Sequence, residues 1–405
     1  MPVFYAPAPK GLQDVLFSEF QQLGLKKLKK VASGVTFEGP WKDCYRANLA
    51  SRVANRILKP LLEFHAYQFD EFYTHIQRHD FTKYIHSDQT LRVDASVTNS
   101  ILKDQRMVAL KAKDAIVDQF REQVQKRPSV DKTNPDLNII IYGAKNTFYV
   151  YLNTSGDPLY QRGYRAEGLE APLKETLAAG LIYLSGWDKK SSLIDPFGGS
   201  GTIAIEAALM LKNMAPGSLR KTFAFQKLKN YDPQAFEQVL SELINQELPD
   251  PNEKLIFYYD RNPKATEQAK KNAKRAGVDH LIHFRTQDVT QLLPPTQQNG
   301  VIITNPPYGS RMGTSEELVT LMKDLSYVLK HHFQNWNLWL LSGNPTLSNH
   351  LGLKAEKKYP VFNGALECRF LKYPIKKGSY VTRVFHRDPE GVAAKLGQMS
   401  SDKKP

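Results

Sequence analysis

From Ser191 to Gly343 the chain repeats one pattern: a short apolar run, a turn of glycine, proline or polar residues, then a helical segment. The runs 192–195, 255–260, 281–288 and 301–305 end in Asp195, Asp260, Asp288 and Asn305. Strands separated by helices of a dozen or so residues must cross over, which gives parallel βαβ units. The fold class expected here is α/β, a doubly wound, Rossmann-like, mostly parallel sheet whose strands all end on one edge. Residues 368–385 read as two strands around a Lys-Gly turn, an antiparallel edge to that sheet, and the tail 389–405 as a basic disordered end.

The first 155 residues read differently. Apolar spacing gives helices over 9–25 and 42–63, the second with Leu49, Val53, Ile57 and Leu58 inward. Strands are expected at 91–97, 137–143 and 148–156 around a helix at 107–126, a small α/β module without a catalytic cluster. A turn at 154–158 separates it from the rest, and 405 residues suit two cores.

Lys plus Arg number 55 against 41 Asp plus Glu, a net charge of +14, while 41% hydrophobic and 11% aromatic content excludes a disordered chain. Such a charge attracts polyanions, and RNA is the expected partner. Lys26, Lys27 and Arg165 are candidate RNA contacts. Cys44 and Cys368 are too few for a disulfide framework or a cysteine-rich zinc site, so a reducing compartment is expected, with no metal. No apolar stretch reaches membrane-spanning length and the N-terminus lacks a signal pattern, so the expectation is a cytoplasmic protein without a membrane partner. Nothing in the pattern fixes an oligomeric state.

The turn Asp195-Pro196-Phe197-Gly198-Gly199-Ser200-Gly201-Thr202 joins a strand to a helix N-terminus. It lacks the P-loop lysine and the G-x-G-x-x-G spacing of dinucleotide oxidoreductases, and its leading carboxylate would repel phosphate but welcome an amine. Asp260, ending the second strand, suits the two hydroxyls of a ribose, and Asp288, ending the third, the exocyclic amine of an adenine. Asn305-Pro306-Pro307-Tyr308 ends the fourth. An amine conjugated to a ring is a poor nucleophile. If the Asn305 oxygen and the Pro306 carbonyl each accept one N–H, its lone pair is aimed at an electrophile, here the methyl of a sulfonium, while Tyr308 stacks on the planar group.

These motifs resemble the class I S-adenosylmethionine-dependent methyltransferases, and within them the THUMP-domain enzymes that modify guanosine N2 in large-subunit (23S) ribosomal RNA. Phe4 to Leu12 looks like the family's N-terminal ferredoxin-like segment (1–45), and 46–155 is similar to its THUMP RNA-binding domain. Gln161-Arg162-Gly163-Tyr164-Arg165 with Ala171 to Thr176 resembles its pre-catalytic signature, Ala215-Pro216-Gly217 with Phe223-Ala224-Phe225 its insertion, and Asn363-Gly364 with Glu367-Cys368 its closing strands. The resemblance implies a seven-stranded methyltransferase domain over 156–388, with S-adenosyl-L-methionine held by the Asp195–Thr202 turn, Asp260 and Asp288. It implies the target amine held by Asn305 to Tyr308, and large-subunit ribosomal RNA or its precursor particle as partner. Asn262 stands where many relatives carry a second aspartate. With no second methyltransferase domain before residue 405, only the guanine-N2 activity is expected. Asn-Pro-Pro-Tyr is shared with adenine-N6 methyltransferases of DNA or RNA and with enzymes that methylate a glutamine side chain, so the motif alone gives a planar amine. A non-catalytic RNA-binding assembly factor would show a damaged turn or tetrad, and neither is damaged.

Overall fold

The computed structural model describes residues 1–165, 173–296, 298–307, 315–344 and 346–377. The first unit runs β1 (Val3–Pro7), α1 (Gln13–Gln22), β2 (Lys26–Val31), β3 (Gly34–Glu38), α2 (Trp41–Ala50) and β4 (Leu58–His65). The second runs α3 (Phe69–Gln77), β5 (Thr90–Thr98), α4 (Gln105–Val124), β6 (Ser129–Val130), β7 (Leu137–Ala144) and β8 (Thr147–Asn153). Among the described residues these strands form one eight-stranded sheet in the order β2-β3-β1-β4-β8-β7-β5-β6, so the two units share a sheet across β4 and β8.

Two sequence expectations change here. Residues 42–63 do not form one helix. α2 stops at Ala50 because the buried Glu19 carboxylate takes the Ser51 hydroxyl (2.7 Å) and the Arg52 and Val53 N–H groups (2.7 and 3.4 Å), and β4 then carries Pro60, which no helix interior tolerates. Leu49, Val53, Ile57 and Leu58 are buried all the same. The division expected at 45/46 falls inside α2, and the ferredoxin-like pattern of two βαβ halves closes only with β4.

The remaining elements are α5 (Glu175–Ser185), β9 (Leu193–Asp195), α6 (Thr202–Leu211), α7 (Pro233–Ile244), β10 (Ile256–Asp260), α8 (Pro263–Arg275), β11 (Ile282–Thr286), β12 (Val301–Thr304), α9 (Ser315–His332), β13 (Asn337–Ser342), β14 (Lys357–Asn363) and β15 (Leu366–Pro374). Among the described residues they build a seven-stranded sheet in the order β11-β10-β9-β12-β13-β15-β14, parallel except for β15, which runs against both neighbours. β14 and β15 form a closing hairpin that turns within the Asn363-Gly364 motif, and the Lys-Gly turn expected at 377–378 reaches residues outside those described. Asn363 pairs with Leu366, so the two-residue loop is Gly364-Ala365, with Gly364 at φ +66 in the first loop position, where glycine is favoured. The expected strand after that Lys-Gly turn and the tail lie outside the described residues.

Alternation along the central strands sets the layers. Leu193, Ile303, Trp339 and Leu341 face the core that holds Ala204 and Ala208 of α6 and Ala269 and Ala273 of α8. Ile194, Ile302, Leu338 and Leu340 face Met322, Leu325 and Leu329 of α9. The first of these cores is continuous with the N-terminal units, from Phe4 through Phe225 to Phe370. Arg52, after α2, donates to the carbonyls of Leu209 and Met214 at the C-terminal end of α6 (3.2 and 2.8 Å), where the helix dipole favours a cation. The N-terminal units are therefore packed into the catalytic half.

Candidate active site

Four parallel strands, β11, β10, β9 and β12, deliver their C-terminal ends to one edge. Asp195 ends β9 and is buried, 1% exposed. Its Oδ1 accepts from the Thr304 hydroxyl (2.8 Å) and the Phe197 N–H (3.3 Å). Burial pushes its carboxyl up to about 7, and the Asp260 charge adds to the rise. Thr304 is the residue before Asn305, so Asp195 fixes the end of β12 from the neighbouring strand β9. A hydroxyl inside the apolar run 301–304 was the sequence signal for that role.

The glycine turn is braced on three sides. Asp260 Oδ2 accepts the Gly199 N–H (2.9 Å), the Tyr258 hydroxyl donates to the Gly199 carbonyl (2.7 Å), and Asn272 of α8 donates to the Ser200 carbonyl (3.0 Å). Gly198 lies flat on the Tyr258 ring: a Cβ there would sit 2.1 Å from a ring carbon. Tyr258 and Asn272 escaped sequence reasoning because their partner is backbone.

The turn walls a cavity of about 540 Å³ lined by Leu173, Asp195, Phe197, Gly198, Gly199, Ser200, Thr202, Ile203, Asn262, Lys264, Ala265, Gln268 and Asn305. α6 begins here at Thr202 without a side-chain cap, so its first N–H groups are available to an anionic group. Of the expected cofactor residues, Asp195, Phe197, Gly198, Gly199 and Thr202 line the cavity, while Pro196, Gly201, Asp260 and Asp288 do not. Asp260 sits behind the turn, its Oδ1 accepting the Asn262 N–H (2.8 Å). Asp288 Oδ1 accepts from the N–H and hydroxyl of Thr290 (3.0 and 2.8 Å). Asn262 lines the cavity and also caps α8 by accepting the Lys264 N–H (3.0 Å).

Asn305 faces the cavity, and its side-chain oxygen is buried with no hydrogen-bond partner among the described residues. A buried acceptor left open costs free energy unless something donates to it. Pro306 is buried and Pro307 half-buried beside it. Tyr308 lies outside the described residues.

Arg165 backs the same wall. Its Nη2 donates to the Thr202 hydroxyl (2.5 Å) and the Leu173 carbonyl (2.8 Å), and its Nε lies 3.1 Å from Glu175, whose carboxyl burial pushes up to about 7. Beside it the fully buried Glu206 of α6 meets Arg162 at 3.4 Å and accepts from the Tyr164 hydroxyl (3.2 Å). Lys26 and Lys27 are on the edge strand β2 of the other sheet, and Lys27 pairs with Glu38 at 2.7 Å. Among the described residues no group of three or more His, Cys, Asp or Glu could hold a metal ion, and no helix is long and apolar enough to cross a membrane.

A family model described as the RMKL-like methyltransferase domain matches residues 162–372. The chain belongs to the RMKL-like methyltransferase family. This methyltransferase also matches the RlmL ferredoxin-like domain over 3–58 and the THUMP domain over 66–153, in step with α2 crossing the division expected at 45/46. It is 37% identical over 385 residues to a ribosomal RNA large subunit methyltransferase K/L of Syntrophotalea carbinolica, covering 92% of this chain and 53% of that one. The chain spans about half the length of the curated relatives it matches. A possible methylase from Clostridium difficile superposes with a TM-score of 0.84 at 32% identity, covering 93% of this chain and 99% of that chain. A methyltransferase solved in complex with SAH does so with 0.84 at 28%, with the same coverage.

Proposed function

We propose that this methyltransferase transfers the methyl group of S-adenosyl-L-methionine to the exocyclic N2 of a guanosine in 23S ribosomal RNA. The observation that carries the reading is the open, buried Asn305 oxygen on the cavity wall. It is an acceptor in search of an N–H, at the position where a planar amine would enter.

The residues fit the cofactor. The cavity is long enough to run from the uncapped start of α6 to Asn262 and Gln268 of α8, and the Asp195 carboxyl at its floor suits an ammonium group. When bound, the cofactor supplies an electrophilic methyl on a positively charged sulfur. Asp195 and Thr304 hold β9 and β12 in register so that Asn305 stands beside the turn. Asn305 accepts one amine hydrogen and the Pro306 carbonyl a second, which leaves the nitrogen lone pair directed at the methyl. No strong base is required, because the nitrogen sheds its proton after the methyl arrives. Asp260, at the end of β10, and Asp288, just past β11, are assigned to the ribose and the adenine amine from their places at the strand ends, although neither lines the cavity wall.

Ribosomal RNA is favoured by the relatives' names, by the THUMP match and by the net charge of +14. Such a substrate, free or in a precursor particle, places the enzyme in the cytoplasm. The test is methylation of large-subunit RNA from a strain lacking the enzyme, read by nucleoside mass spectrometry. Label should appear in N2-methylguanosine, and label in N6-methyladenosine would overturn the acceptor.

A further inference from the structure

The proposed chemistry makes no use of two sequence motifs, the junction 161–165 and the insertion 215–225. In the structure both border one trough. A cleft of about 660 Å³ includes Tyr160, Gln161, Arg165, Lys221 and Thr222 in its lining. A smaller one of about 100 Å³ adjoins it through Asp157, Arg220 and Thr222 and adds Arg56, Arg92 and Lys227. The trough thus begins at the THUMP strand β5, which carries Arg92, passes the loop before β4, which carries Arg56, and follows the junction. Its other end reaches the cavity wall, since Arg165 grips Thr202 and Leu173, both cavity residues.

The trough is built in advance. Gly163 has φ +104, and a Cβ there would sit 2.7 Å from the Leu219 carbonyl, so junction and insertion touch backbone to backbone. Arg220 donates to the carbonyls of Ser155 (3.2 Å), Asp157 (3.1 Å), Pro158 (3.0 Å) and Gln161 (2.9 Å) and lies over the Phe223 ring. Burial draws its pKa down to about 10, which leaves it charged at neutral pH. The lining of the two clefts carries seven Lys and Arg against three Asp and Glu. Arg92, Arg162, Arg165 and Lys227 are answered by Asp94, Glu206, Glu175 and Asp136, but among the described residues Arg56 and Lys221 have no carboxylate partner within ion-pair distance.

We infer that this trough carries a single-stranded RNA segment from the THUMP domain to the methyl-transfer cavity, with phosphates at Arg56 and Lys221 and one unstacked base delivered to Asn305. A base must leave its stack to be modified, and a single-stranded segment offers its bases already unpaired. The inference rests on the RNA reading given under Proposed function.

The test uses the full chain, with Lys221→Glu, Arg56→Gln and both together, and Lys29→Glu on β2 as control. The probe is protein-free large-subunit ribosomal RNA transcribed in vitro. The double variant should bind about tenfold or more weakly, and its log affinity against log salt should flatten by roughly 1.4, about 0.7 for each single-strand phosphate that is no longer neutralised. Cofactor affinity and the rate at saturating RNA should stay at wild-type values. Lys221 is exposed, so Lys221→Glu alone decides the matter if Arg56→Gln fails to fold. Wild-type affinity and slope in Lys221→Glu, or an equal loss in Lys29→Glu, would overturn the trough alone. Failure of the wild-type chain to bind this RNA would overturn the trough and the substrate reading together.

Discussion

Asp260 holds the Gly199 N–H at 2.9 Å, so the end of β10 braces the glycine turn that follows its neighbour β9. The carboxylate placed by its sequence position at the ribose is therefore also part of the frame. Asp260→Ala leaves the N–H groups of Gly199 and Asn262 without their acceptor, and should weaken cofactor binding by about 1–3 kcal/mol while lowering the melting temperature. Titration calorimetry beside a thermal melt reads both. Unchanged affinity would remove Asp260 from the site.

Asn305→Ala should slow methyl transfer on the order of a hundredfold and leave cofactor affinity and stability nearly unchanged. The stability half follows from the structure, since this oxygen makes no hydrogen bond among the described residues. Single-turnover kinetics at saturating RNA is the measurement, and a near-normal rate would make the turn structural.

Gly198→Ala drives a methyl group into the Tyr258 ring, which is fixed in turn by its bond to the Gly199 carbonyl. The expected loss is about 1–3 kcal/mol in denaturant unfolding, with weaker cofactor binding. Full stability would show that the ring can move aside.

Asp195 and Glu175 are both pushed up to about 7 by burial. A carboxyl whose pKa is higher in the folded chain supports folding fully below its unfolded value near 4, and that support is lost as pH rises through about 7. Asp195→Asn stays neutral and can still accept from Thr304, so its stability should gain on the wild type as pH goes from 5 to 8. His79, drawn down to about 4 by burial, acts in the opposite sense: its support is present above its ordinary value and lost as pH falls. Subtracting wild type from variant at each pH removes that background. A difference that does not change with pH would count against a titrating Asp195.

Removing residues 1–155 should leave a chain that does not unfold cooperatively. It would strip Arg52 from the end of α6, open the core shared from Phe4 to Phe370, and deprive Arg162 of its acceptor at the Arg52 carbonyl. Circular dichroism during heating would check it, and a sharp transition with intact cofactor binding would show that the halves are separable, as the turn at 154–158 suggests.

The catalytic sheet was legible because each central strand is an apolar run closed by its own turn chemistry, and the cavity assembles Asp195, the glycine turn and Asn305 from those same ends. The N-terminal units were harder to read. β2 has the sequence Lys-Lys-Leu-Lys-Lys-Val, with no apolar face to betray it, and the helix at 41–50 is ended by Glu19, far away in the chain. Arg162 and Arg165 are legible in the sequence only as a motif. Their work is to answer Glu206 and Glu175 inside the protein, and such pairs are made by tertiary packing that no local pattern records. The closing hairpin turns within the Asn363-Gly364 motif, while the turn expected at Lys377-Gly378 runs into residues outside those described.

The outermost strands have a consequence for how these molecules behave in company. A sheet edge offers free N–H and C=O groups to any other chain, and unguarded edges let sheets extend from molecule to molecule. Here β2 ends the eight-stranded sheet with four lysines, β6 ends it on the other side with two residues, and β14 ends the seven-stranded sheet with Lys357, Lys358 and Pro360. Lysine charge repels a second copy, two residues give it no purchase, and proline lacks the N–H that pairing needs. The lysine run of β2 thus has a physical effect that requires no RNA: it disfavours edge-to-edge pairing between copies of a basic, sheet-rich chain.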